Sequence, residues 1–137
     1  MGETIRKVDY FYIQTANKPG EGARLLGALR DEGVNLLAFT GFPFGRRAQI
    51  DFIPEDTAVF RAAAKRAGMK LSPKKTGFWV QGEDRVGAIA DIMEKLAGAR
   101  INVTAIDAVC AGEGRYGAIF WVKPPDVRKA AKILGAS

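Results

Sequence analysis

Histidine is missing from all 137 residues, and cysteine occurs once, at Cys110. Without histidine the chain has lost the commonest general base and the commonest nitrogen ligand for a metal. A lone thiol with no imidazole cannot form a Cys-His nucleophilic pair, and it cannot close an internal disulfide, which fits a reducing compartment. Cys110 therefore reads as a small apolar side chain, buried or half-buried near the end of a strand. No Walker lysine motif is present, and no two carboxylates stand at a catalytic spacing. Gly112-Glu113-Gly114 is a G-x-G without the strand-to-helix setting or the third glycine of a dinucleotide loop. The sequence thus predicts no catalytic residue, no metal, no cofactor and no enzyme. Long apolar runs are also lacking, none approaching the roughly 20 residues that cross a bilayer. Met1 to Lys7 is polar and unlike a signal peptide, so the reading is a cytoplasmic protein with no membrane partner.

What remains is ordinary for a soluble globular chain: 47% hydrophobic and 26% charged residues. The formal net charge is +6, which raises the question of nucleic acid. Residues 1–74 carry 12 basic and 8 acidic side chains and residues 75–137 carry 9 and 7, interleaved except at short clusters such as Arg46-Arg47 and Lys74-Lys75. Such a pattern suits solvated helix faces and loops better than one basic stripe.

The most informative feature is an internal repeat. Gly87 follows Gly20 by 67 residues and Asn102 follows Asn35 by 67, while Leu25, Leu26 and Leu29 return as Ile92, Met93 and Leu96 at that interval. Gln14 and Ala23 are matched by Gln81 and Ala90. A spacing held across a turn, a helix and a second turn indicates two copies of one supersecondary unit, 1–74 and 75–137.

In the first copy, Val8 to Thr15 alternates Phe11 and Ile13 against Tyr10 and Tyr12 and predicts a strand. Asn17-Lys18-Pro19-Gly20 breaks it. A helix to about Glu32 follows, stopped by Gly33. Leu36 to Phe44, a hairpin at Gly45-Arg46-Arg47, and Ala48 to Ile53 give two more strands. Pro54-Glu55-Asp56 opens a second helix, and Met69 to Lys74 completes the copy as a weak polar strand. The order is βαββαβ. The second copy repeats it from Thr76 to a final helix at Val127 to Leu134, and the chain ends before a fourth strand. One sheet edge is then open unless the N-terminus or another chain covers it. The fold class is α+β, ferredoxin-like, with two tandem repeats of which the second lacks its last strand.

Each copy offers a glycine turn running into a helix N-terminus, where bare N–H groups and the positive end of the dipole attract an anion. Glycine lets a ligand come close to those groups. Each also offers an asparagine where the chain re-enters the sheet, with a donor and an acceptor that suit a group bearing an ammonium and a carboxylate. A free amino acid has both.

The succession of strand, Asn-Lys-Pro-Gly turn, Leu-rich helix and Val34-Asn35-Leu36 resembles the ACT domain, a small regulatory module that binds amino acids. Asp84-Arg85-Val86-Gly87 with Ile101-Asn102-Val103 is similar to the common form of the same turn, so the likeness covers nearly the whole chain. It implies an effector amino acid held by Asn17, Lys18, Pro19, Gly20 and Asn35 in one copy and by Asp84, Arg85, Gly87 and Asn102 in the other. It also implies pairing of such units, here as a homodimer, and a regulated partner on a separate chain.

Two other readings compete. Arg115-Tyr116-Gly117-Ala118-Ile119-Phe120-Trp121-Val122 loosely resembles the aromatic strand of RNA-recognition domains, which share the βαββαβ order. A structural dimerisation module could use Phe39, Phe42 and Phe44 beside Pro43 as an apolar contact surface.

Overall fold

The computed structural model describes residues 3–137. Ten main elements follow one another: β1 (Thr4–Ala16), α1 (Glu21–Asp31), β2 (Leu36–Phe44), β3 (Arg47–Pro54), α2 (Thr57–Arg66), β4 (Lys75–Glu83), α3 (Ala88–Gly98), β5 (Val103–Gly112), β6 (Arg115–Val122) and α4 (Val127–Leu134). The chain is an α+β, ferredoxin-like protein of two repeats, with antiparallel ladders joining β1 to β3, β2 to β3, β4 to β6 and β5 to β6. Two compact units result: Asp9–Lys75, and Thr76–Ser137 together with the described residues up to Val8.

In the Asp9–Lys75 unit, period-2 alternation sends Phe11 and Ile13 of β1 and Ile50 and Phe52 of β3 to one face, where Leu25 and Leu29 of α1 and Phe60 and Ala63 of α2 cover them. Three rings form its centre, Phe60 lying 5.4 Å from both Phe11 and Phe52. The helix α2 begins at Thr57, just after the Pro54-Glu55-Asp56 segment that the sequence reads as its opening, because Pro54 closes β3. Asp56 is the N-cap, its side chain accepting from the Val59 amide at 3.0 Å.

Met69 to Lys74 is not a strand. The segment returns to β1 at one residue, Ser72, whose N–H donates to the Tyr12 carbonyl and whose hydroxyl accepts from the Tyr12 amide, each at 2.9 Å. Pro73 has no N–H to continue a ladder, and the Ser72 hydroxyl turns instead to the Pro73 carbonyl.

The other unit packs Phe78 and Val80 of β4, Phe120 and Val122 of β6, Ile92 and Leu96 of α3 and Ala130 and Ala131 of α4 into a second core, with Phe78 and Phe120 stacked at 5.0 Å. Among the described residues from Thr76 onward it has three strands, β4, β5 and β6. The start of β1 takes the fourth place, beside β4. Arg6 lies over the Trp79 ring at 4.4 Å, Glu3 packs against Gly82, and Ile5 joins the core, so the two strands run in opposite senses. The C-terminus closes the arrangement: Lys7 N–H donates to the Ser137 carbonyl at 2.9 Å, and Ser137 N–H to the Ile5 carbonyl at 3.1 Å.

The strand that resembles an RNA-recognition motif is core. Tyr116, Phe120 and Trp121 are 6%, 0% and 5% exposed, which leaves no aromatic platform on β6 for bases to stack on. Phe39, Phe42 and Phe44 stay exposed on β2, Phe39 resting edge-on against Phe52 at 5.6 Å. No helix among the described residues is long and apolar enough to cross a membrane.

Candidate functional site

Both leading helices start on a glycine in the left-handed conformation, Gly20 at φ 88° and Gly87 at φ 80°. An L side chain is strained there, so glycine is what allows the strand to turn straight into a helix. Neither glycine can supply a side-chain cap, which leaves the N–H groups of the first turn to find other partners. In α3 the Ala88 N–H donates to the Arg85 carbonyl at 3.3 Å, and the first regular bond is Asp91 N–H to the Gly87 carbonyl at 3.0 Å. The N–H groups of Ile89 and Ala90 fall between them.

A cavity of about 300 Å³ opens at this turn. Asp84, Arg85 and Gly87 line it from the loop, Ala88, Ile89 and Ala90 from the start of α3, Ala108, Val109 and Cys110 from β5, and Tyr116 from β6. Its charged groups are anchored. Arg85 Nη2 donates to Asp91 Oδ2 at 2.7 Å and lies 3.6 Å from Glu3 Oε2, and these carboxylates raise its already high pKa, Asp91 foremost. Tyr116 donates its hydroxyl to Glu3 Oε2 at 3.3 Å, and burial, with the Glu3 charge behind it, pushes its pKa up to about 12. It is a neutral hydroxyl at any ordinary pH. Asp84 is fixed by its own N–H, which donates to the Gly114 carbonyl at 2.8 Å.

Cys110 is exposed rather than buried. It lies on β5, whose far side has no neighbouring strand in this unit, so the residues near its end face solvent. A hydrogen bond to Asp84 is the main cause of its raised thiol pKa, and that keeps it a poor nucleophile.

The other turn is built differently. Asn17, Lys18, Pro19 and Gly20 are exposed, and the cavity of about 210 Å³ in that unit is lined by Ile13, Gln14, Thr15, Arg24, Leu25 and the 67–70 segment, not by them. Behind Gly20 stands Glu21, a buried carboxylate that accepts from the Thr15 hydroxyl and from Arg24 through Nε at 3.0 Å and Nη2 at 2.8 Å. Arg24 first, and Thr15 after it, hold the Glu21 pKa down at about 2.

Of the residues singled out from the sequence, Asp84, Arg85 and Gly87 come together on one cavity. Asn35 and Asn102 are exposed beyond the far ends of α1 and α3. An 11-residue helix separates each from its turn, about 16 Å at 1.5 Å per residue. Asn35 is engaged there, its carbonyl accepting from Glu55 N–H at 3.0 Å and its amide lying 3.5 Å from Glu55 Oε2. Sequence reading missed Ala88, which opens α3 beside Gly87, and Cys110 and Tyr116, which reach the cavity through strand pairing, and it passed over Glu21. The repeat held a signal for the last: position 67 beyond Glu21 is Ala88, a charge replaced by a methyl. Among the described residues no group of three or more acidic or cysteine side chains is arranged to hold a metal.

No protein-family model and no curated protein sequence matches the chain. Solved structures do. A protein of Bacteroides thetaiotaomicron aligns over 96% of this chain and 88% of its own with TM-score 0.81 and 16% identity. The ligand-free regulatory subunit of aspartate kinase from Thermus thermophilus aligns over 98% and 96% with TM-score 0.67, also at 16% identity. In the aspartate kinase of Clostridium acetobutylicum, an allosteric enzyme, the match covers 98% of this chain and 33% of that one, with TM-score 0.58 and 15% identity. What the chain shares with them is the fold, a tandem pair of ferredoxin-like repeats.

Proposed function

We propose that this protein is a non-catalytic regulator that binds a free amino acid at the turn before α3. One observation carries the reading: a carboxylate (Asp84), a guanidinium (Arg85) and the uncapped first turn of α3 line the same opening as Ala88, Ile89 and Val109. Asp84 suits a ligand ammonium. Arg85 and the N–H groups of Ile89 and Ala90 suit its carboxylate. The apolar wall suits an aliphatic side chain. Gly87 keeps the approach to those amides open, since it carries no Cβ and nothing beyond its neighbours in the chain lies within 4 Å of where one would be.

The fold supports a wider reading. One neighbour in structure is a regulatory subunit, a separate chain from what it regulates, and we assign this protein the same kind of role toward a separate partner. Homodimer formation through exposed sheet edges and a cytoplasmic setting complete the proposal.

Calorimetric titration of the full chain with each of the twenty amino acids tests it. At least one should bind, and Asp84→Asn should weaken that binding at least tenfold, a loss of the 1.5–3 kcal/mol that a charged hydrogen bond is worth. Binding by none, or binding indifferent to Asp84→Asn, contradicts the assignment.

A further inference from the structure

The turns before α1 and α3 agree in their glycines and disagree in what stands behind them. Glu21 follows Gly20; Ala88 follows Gly87. Glu21 is 9% exposed, and its carboxylate accepts charge-assisted bonds from Thr15 and Arg24. The corresponding positions of the second repeat, 67 residues on, are Gly82 and Asp91. The second turn therefore lacks the carboxylate and both of the groups that hold one, and Asp91, its own first-turn acid, is half exposed and paired with Arg85. A carboxylate in the first turn of a helix is favoured by the dipole, which is the same preference that would draw in a ligand's carboxylate.

We infer that Glu21 is a built-in occupant of the Thr15 and Arg24 donors beside the first turn, holding with the chain's own carboxylate the side-chain groups that a ligand's carboxylate would use there, so that this turn admits no external amino acid. The count of one ligand per chain rests on the amino-acid reading above; the occupation of this carboxylate seat does not. A ligand entering here would have to take Arg24 and Thr15 away from a competitor tethered three residues from one and six from the other. A tether of that kind competes at an effective concentration of mM order or higher. Lys18, the other nearby cation, adds to the field that keeps Glu21 ionised.

The seat has an entrance. Thr15 and Arg24 also line the cavity of about 210 Å³ that they share with Gln14 and Lys70, so Glu21→Ala would leave a vacant carboxylate seat open to solvent. The test compares melting temperatures of the wild type and Glu21→Ala in sodium acetate and in sodium chloride at equal ionic strength, beside calorimetric stoichiometry of the wild type with the twenty amino acids. Acetate should raise the melting temperature of Glu21→Ala by several degrees over chloride and leave the wild type unchanged, and the wild type should bind one amino acid per chain. A folded Glu21→Ala indifferent to acetate, or two amino acids bound per wild-type chain, overturns the inference. If Glu21→Ala does not fold, titration of the wild-type Glu21 carboxyl by NMR decides: titration near 2 supports the occupied seat and titration near 4.5 refutes it. If no amino acid binds at all, the proposed function falls, and the acetate comparison still decides the seat.

Discussion

At the residue scale, Glu21 shows how one side chain changes the meaning of a repeated motif. Arg24 and Thr15 depress its pKa from an ordinary 4.5 to about 2. The folded state therefore binds this proton less tightly than the unfolded chain does. Its contribution to stability is fully present above about pH 4.5 and is lost as the pH falls from there toward 2. Glu21→Gln should lower the urea midpoint at neutral pH and make it less sensitive to acid across that window, with the difference from wild type vanishing near pH 2. Midpoints measured at half-unit pH steps check this. A difference that does not shrink with acid would mean that the charge on Glu21 contributes nothing. The residues that the sequence marked by motif, Asp84, Arg85 and Gly87, gather at one place because they are consecutive or nearly so along the chain. Those that it did not assign to this turn, Tyr116 and Cys110, arrive through the β5–β6 pairing in which Cys110 stands opposite Tyr116, a contact that no local pattern contains.

At the element scale, legibility followed how much of an element's stability is local. The helices α1 and α3 and the strands β2, β3, β5 and β6 were readable because apolar period, glycine stops and hairpin turns coincide in each. Met69–Lys74 was misread as a strand: its place in the repeat suggested one, but Pro73 and the hydroxyl of Ser72 give its backbone other partners. The reading of Cys110 as buried or half-buried fails because a strand's period says which residues share a face and not whether that face or edge is covered. The start of β1 fills the fourth place beside β4, and Gly82 is the point of closest approach. A Cβ there would lie 2.7 Å from both Glu3 Cγ and Tyr116 Cε1. Gly82→Ala should force those side chains apart and cost about 1–3 kcal/mol, read as a drop in the denaturation midpoint. An unchanged midpoint would show that the first strand yields freely and is not held against β4.

At the scale of the whole molecule, a net charge of +6 is spread over both repeats and the aromatic strand that suggested RNA is buried, so the proposed small-molecule site fits the architecture better than a nucleic-acid surface does. A ligand that binds only the folded state at 100 times its dissociation constant adds about 2.7 kcal/mol of stability, which should raise the melting temperature by several degrees for the matching amino acid and by nothing for the rest. The most direct measurement is a map of amide chemical shifts in nitrogen-15-labelled protein, titrated with the amino acid that stabilises it. The account predicts changes centred on Asp84, Gly87, Ala88, Ile89 and Cys110, with Asn17 to Gly20 unmoved. Changes centred on Asn17 to Gly20, or no saturable change with any amino acid, would contradict it.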